Sequence, residues 1–179
     1  MWMEANIAGK RFGEELKHIA GMYKYILDRL PYKSSFRFVD EISFLDEDKV
    51  IGHYTLKKDA FFYEDHFAGY PVTPGAILTE IMAQIGLVTM GIYLIVGGKG
   101  PVGADPGSAP LKEGSLFPLF TSIEVSFYKM ALPEQKVTVI SKKEYFRFGK
   151  LKCRVEMLDP ADELIAKGTF SGIIKEIVK

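Results

Sequence analysis

His66 and Glu80 stand fourteen residues apart, with Gly69, Pro71 and the pair Pro74-Gly75 between them. Pro74-Gly75 opens a long apolar run, so His66 lies on an irregular approach and Glu80 lies one to two turns inside a helix. Turns at Gly69, Pro71 and Pro74-Gly75 can fold the approach back across the helix start. A helix N-terminus presents unpaired backbone N–H groups and a partial positive charge. A histidine, an enclosed carboxylate and such an N–H cluster are the three parts needed to abstract a proton beside a carbonyl. The same residues also admit a plainer reading. A histidine in a Pro/Gly-rich loop can be structural or exposed. Glu80 can be a carboxylate stabilised by the helix start, with Gln84, one turn on, as its hydrogen-bonding neighbour. His18, in an amphipathic helix, and His53, in a strand, read as solvated or structural.

The elements that would hold this constellation follow from periodicity. From Glu14 to Leu30, apolar residues at spacings of three and four predict an amphipathic helix stopped by Pro31. Phe36 to Leu45 and Val50 to Leu56 read as strands joined at Asp46-Glu47-Asp48, hence a hairpin. Ala76 to Val96 is apolar on every side apart from Glu80 and Gln84, with Thr79 and Thr89 as minor polar members. At 1.5 Å per residue it makes roughly 30 Å of helix. Such a helix is either wrapped by protein or crosses a membrane. Glu80 and Gln84 would be costly in lipid, so a buried central helix is expected. Residues 97–116 carry six Gly and three Pro and read as a long loop. The period then switches to two, with strands expected around Ile123 to Phe127, Lys136 to Phe148, Leu151 to Met157 and Glu163 to Ile174. Short connections between them predict antiparallel pairing. One curved sheet around a central helix satisfies that order.

Composition narrows the function classes. The chain has 179 residues, 23 Lys plus Arg against 23 Asp plus Glu, and 47% hydrophobic residues. That is one globular domain, residues 1–179, with an N-terminal helical extension over about 1–30. Zero net charge provides no basic excess for tracking phosphates, so nucleic acid is not an expected partner. A single cysteine, Cys153, cannot form an internal disulfide and points to a reducing compartment. With three histidines it does not make a thiolate zinc site, and neither metal nor cofactor is expected. Met1-Trp2-Met3-Glu4 lacks the pattern of a signal peptide, so the expectation is a cytoplasmic protein without a membrane partner.

The run His66-Phe67-x-Gly69-x-Pro71-x-x-Pro74-Gly75, followed by Glu80-x-Met82-Ala83-Gln84, resembles the signature of the 3-hydroxyacyl-[acyl-carrier-protein] dehydratases. Upstream, Leu30-Pro31, Phe36 and Val39-Asp40 match that family's first strand and its approach. Phe120 to Pro133 is similar to its strand after the central helix. The resemblance covers residues 26–96 and 117–175 and implies an α+β hot-dog fold. Glutamate at position 80 resembles the chain-length-tolerant branch more than the one that also isomerises the double bond. By this resemblance His66 would take the α-proton of a 3-hydroxyacyl thioester. Glu80, directly or through a held water, would assist departure of the β-hydroxyl. The N–H of Gly75 would polarise the thioester carbonyl. The acyl chain would lie along the central helix, with Phe67, Ile77, Ile81, Gln84 and Ile85 as candidate binding residues. The product would be the trans-2-enoyl thioester, in fatty-acid or polyketide/polyene-type biosynthesis.

The resemblance also implies acyl carrier protein as partner and a homodimer in which His and acid come from different subunits. Asp65, Ala68, Tyr32, Lys33, Ser35 and Pro133-Glu134-Gln135 depart from the family pattern. Two other functions fit the same fold: an acyl thioesterase in which Glu80 activates water, and a non-catalytic acyl-thioester binding protein.

Overall fold

The apolar run after Pro74 forms a helix from Gly75 to Ile95, and a six-stranded antiparallel sheet curves around it. The computed structural model describes residues 2–67, 69–96 and 116–176. The helix begins as α2 (Gly75–Ala83), loosens into a π-helical segment (Gln84–Thr89) and resumes as α3 (Met90–Ile95). Ile81, Met82, Ile85, Leu87, Met90 and Ile92 are wholly buried and form the centre of the core. By length and composition the helix could cross a membrane, but 72% of its most apolar window is buried inside this fold. The sheet approaches the helix closely at Gly86, where a Cβ would meet the Val155 side chain at 2.9 Å and Ser141 Cβ at 3.1 Å. No larger residue fits there without displacing strands.

In the π-helical segment the Thr89 hydroxyl donates to Gln84 O at 2.9 Å, closing one wide turn. Nothing in the apolar pattern announces this irregularity. It lies one turn beyond Glu80, and such bulges occur often near functional sites.

The sheet consists of β1 (Glu41–Leu45), β2 (Lys49–Thr55), β3 (Leu116–Phe127), β4 (Lys136–Arg147), β5 (Lys150–Leu158) and β6 (Leu164–Glu176). The first hairpin forms as its turn cluster predicts, since the Asp46 carboxylate accepts from Asp48 N and Lys49 N at 2.8 and 2.7 Å. The strand order is β1-β2-β4-β5-β6-β3, the hot-dog arrangement. β4, β5 and β6 do follow one another through short turns. β3 does not join that meander: it pairs with β6 at the far edge, and residues 128–135 cross back to β4.

Two further boundaries differ from expectation. The first helix, α1, runs Trp2–Leu27, starting before Glu14 and ending short of Leu30. The residue before a proline avoids helical dihedrals, so Asp28, Arg29 and Leu30 leave α1 as a tightening turn ahead of Pro31. Phe36 does not open a strand. It ends a short 3-10 turn, Ser34–Phe36. The cause is Gln84, whose amide takes Phe36 O and Phe38 N as partners in place of a neighbouring strand. The expected loop lies outside the described residues over 97–115, as does Ala68.

α1 meets the body through its C-terminal part, where Met22 and Ile26 are buried. Its Tyr23 hydroxyl accepts from Leu45 N at 3.1 Å, satisfying a donor on the edge strand β1.

Candidate active site

His66 is held by the backbone around it. Its own N–H donates to Phe62 O at 3.0 Å. Below it Tyr63 and Thr73, both buried, share a hydroxyl–hydroxyl bond of 2.6 Å that closes the approach loop. Thr73 N in turn donates to Ala131 O at 2.9 Å, tying the loop to the β3–β4 connection. The imidazole Nδ1 lies 2.9 Å from Val72 O. A carbonyl oxygen only accepts, so Nδ1 carries the proton and Nε2 is left with a free lone pair. That is the tautomer of a general base.

Phe67, the next residue, has φ of 59°, in the left-handed region that bulky side chains avoid. Its ring lies 4.2 Å from the imidazole, centroid to centroid. Strain of this kind costs on the order of 1–3 kcal/mol and clusters at functional sites.

The start of α2 faces the same space. Pro74 O accepts from Ile77 N at 2.9 Å and Leu78 N at 3.0 Å, so the N–H groups of Gly75 and Ala76 precede the first intrahelical bond. The Thr79 hydroxyl donates to Gly75 O at 2.8 Å and steadies this turn. A cavity of about 440 Å³ opens between His66, Phe67, Gly75, Leu78, Phe127 and Met130. It therefore joins a free imidazole nitrogen and a helix N-terminus in one concave, largely apolar site.

Glu80 is not on that cavity. Its Oε1 accepts from Gln84 Nε2 at 2.9 Å, and the Gln84 amide is fixed by Phe36 O at 2.9 Å and Phe38 N at 2.8 Å. Burial pushes the Glu80 carboxyl above its ordinary pKa, and the bond from Gln84 draws it part of the way back. Tyr32 borders the same carboxylate, and burial together with the Glu80 charge raises its phenol. Within one protomer the histidine and the acid thus serve different surroundings.

The remaining sequence candidates divide by depth. Phe67 lines the cavity, and Ile77 is half-buried against the core. Ile81, Gln84 and Ile85 are buried inside it. The Gln84 amide bonds Glu80 and backbone, as the spacing of one helical turn anticipates. His53 bonds Ser43 and Thr138 on the sheet face, and His18 is exposed on α1. Burial pushes the Cys153 thiol up to about 12, so it is no nucleophile near neutrality. Among the described residues no group of three or more His, Cys, Asp or Glu could hold a metal.

Three participants escape sequence reasoning. The Val72 carbonyl sets the imidazole tautomer, and a backbone oxygen carries no sequence signal. Phe127 reaches Gly75 only because β3 runs along the far edge of the sheet. Lys129, just past β3, borders the cavity and is bound to Asp159 and Glu163 in the β5–β6 turn.

Comparison with known proteins gives the family and the fold. The sequence profile of the FabA-like domain matches residues 30–145, and the chain belongs to that family. A protein from Nitratidesulfovibrio vulgaris named 3-hydroxyacyl-[acyl-carrier-protein] dehydratase FabZ is 33% identical over 116 residues, covering 64% of this chain and 66% of the relative. One of the same name from Clostridium perfringens is 32% identical over 65 residues, covering 36% of this chain and 47% of the relative. The chain thus spans between about half and two thirds of the curated relatives it matches. Among solved structures, the dehydratase heterocomplex ApeI:P from Xenorhabdus doucetiae superimposes with a TM-score of 0.64 at 11% identity, over 86% of this chain and 91% of that one. A thioesterase from Haemophilus influenzae reaches 0.56 at 12% identity, over 86% and 90%. At such identities these two speak for the hot-dog fold alone.

Proposed function

We propose that the protein dehydrates a 3-hydroxyacyl thioester carried on acyl carrier protein, giving the trans-2-enoyl thioester and water. The observation that carries this reading is the His66 tautomer: Nδ1 donates to Val72 O at 2.9 Å, which leaves Nε2 to act as base in a cavity that Gly75 also lines. His66 Nε2 takes the α-proton. The electron pair moves into the carbonyl, and the resulting enolate oxygen is stabilised by the N–H of Gly75. The pair then returns to form the C2–C3 double bond as the C3–O bond breaks. Glu80, directly or through water, supplies the proton with which the hydroxide leaves as water. Burial favours the protonated Glu80 that this step requires. Proton exchange from the imidazolium back to the carboxylate restores both groups. A positioned acid or base contributes about 10²–10⁴-fold, and one oxyanion donor about 10²–10³-fold.

Because Glu80 does not line the cavity of its own protomer, we read the working site as one completed by a second copy. In our reading β3, the edge strand, pairs with its counterpart and brings the partner's acid to His66. Leu119, Ile123 and Phe127 on this strand are 52, 40 and 49% exposed, apolar surface that such pairing would cover. The acyl chain then follows the seam between the protomers. The setting is fatty-acid or related acyl-chain biosynthesis in the cytoplasm.

The test follows the ultraviolet absorbance of the enoyl thioester when the protein meets 3-hydroxyacyl thioesters of several lengths, with free thiol measured in parallel. Absorbance without thiol release supports dehydration. Thiol release without enoyl product moves the assignment to a thioesterase, and silence from folded dimer moves it to a binding protein.

A further inference from the structure

The aromatic ring of Phe127 stands with its tip on the start of α2. A Cβ built on Gly75 would lie 3.1 Å from Phe127 Cζ and 3.4 and 3.5 Å from its two Cε atoms. The space directly over Gly75 is therefore filled by one ring edge. The same ring lines the cavity together with His66 and Leu78. It comes from the last residue of β3 and is half exposed in the single protomer, on the strand that the proposed dimer seam would cover.

We infer that Phe127 is a specificity-determining residue that restricts the site to thioesters unbranched at the α-carbon. The inference rests on the dehydratase reading and deepens it. A thioester carbonyl that accepts from Gly75 N–H sits in the cavity that the Phe127 ring also lines. The α-carbon, one bond further on, must also come within reach of His66 Nε2. Its hydrogen faces the imidazole and its β-carbon leads toward the acid. The remaining α-substituent is left with the ground between Gly75, Leu78 and Phe127. A hydrogen fits there, whereas a methyl group needs the volume that the ring occupies.

The consequence is asymmetric. Shortening Phe127 opens room for a methyl group on the substrate and removes a wall that steadies the unbranched one. A methylene-sized mismatch in an apolar pocket is worth about 10–200-fold in kcat/KM. The wild-type protein should prefer 3-hydroxyacyl over 2-methyl-3-hydroxyacyl thioesters of equal chain length by a factor in that range. Phe127→Ala should bring the ratio close to one, by raising turnover of the branched substrate as well as lowering that of the unbranched one. Phe127→Leu should fall between them.

The experiment measures kcat/KM for both substrates, all four stereoisomers of the branched one included, with full-length wild type, Phe127→Leu and Phe127→Ala. Thermal melting and sedimentation establish that each variant is folded and dimeric, since Phe127 also lies on the proposed seam. A preference that narrows in the order Phe, Leu, Ala supports the assignment. Equal use of both substrates by wild type overturns it. So does a proportional loss on both in Phe127→Ala, which would make the ring a general wall and not a selector. If folded wild type dehydrates neither substrate, the dehydratase reading itself fails and the assignment with it.

Discussion

Gln84 and Glu80 form a fixed pair: Gln84 Nε2 donates to Glu80 Oε1 at 2.9 Å, while the rest of the amide bonds Phe36 O and Phe38 N. The amide cannot turn without breaking bonds to backbone on both sides. Oε1 of Glu80 therefore accepts at all times, and a proton carried by Glu80 resides on Oε2. Position 84 thus fixes which carboxyl oxygen of Glu80 is open to carry a proton.

Gln84→Leu removes this arrangement and leaves Phe38 N, Phe36 O and Glu80 without their partner. Each buried group left unpaired costs about 1–3 kcal/mol. Urea unfolding should show a loss of several kcal/mol. A loss below about 0.5 kcal/mol, the range of ordinary surface substitutions, would mean that segment 36–38 is held by other contacts.

Glu80 also makes stability depend on pH. Burial raises its pKa in the folded protein, so between the unfolded and folded values the native state holds more proton than the unfolded chain. Stability from this group is present at acid pH and falls as pH rises through that window. Glu80→Gln, neutral at every pH, removes the slope. The stability of Glu80→Gln minus that of wild type should grow from pH 4 toward neutrality, read from chemical denaturation at each pH. A difference that is flat or shrinks would contradict the buried setting of this carboxyl.

The contact of Gly86 with Val155 and Ser141 predicts intolerance of a single added carbon. Overpacking of a full core costs about 1–3 kcal/mol. Gly86→Ala should lower the melting temperature by several degrees, whereas Gly21→Ala, on a helix with nothing within 4 Å of the added carbon, should leave it level or raise it. Equal behaviour of the two variants would refute the close approach of helix and sheet.

Much of this was legible in the sequence, and the misses have physical causes. An all-round apolar helix and strands of period two leave few architectures other than a sheet wrapped around a helix. The run from His66 to Glu80 offers the candidate acid and base. Pairing between distant strands is decided by tertiary fit, so local pattern could not place β3 beside β6. The turn at Ser34–Phe36 depends on Gln84, 48 residues after Phe36. The closure of the π-helical segment by the Thr89 hydroxyl leaves the apolar pattern untouched. The spacing of His66 and Glu80 also does not tell which way each side chain turns, and the structure sends them to different surroundings.

That separation predicts complementation between subunits. His66→Asn and Glu80→Gln should each be nearly inactive as homodimers. Mixed dimers carrying one of each contain one intact pair of His66 and Glu80 and one doubly altered pair. Refolding or co-expressing the two should recover enoyl-forming activity toward half the wild-type value per mixed dimer. Absence of recovery in isolated mixed dimers would place both groups of one site in the same subunit.

The most direct test of the account is kcat/KM of His66→Asn on whichever 3-hydroxyacyl thioester the wild type dehydrates. The variant should lose about 10²–10⁴-fold while its melting temperature and dimer fraction stay at the wild-type values. A folded His66→Asn dimer that keeps more than about a tenth of wild-type activity, well above what loss of a general base leaves, would contradict the assignment of His66 as the base.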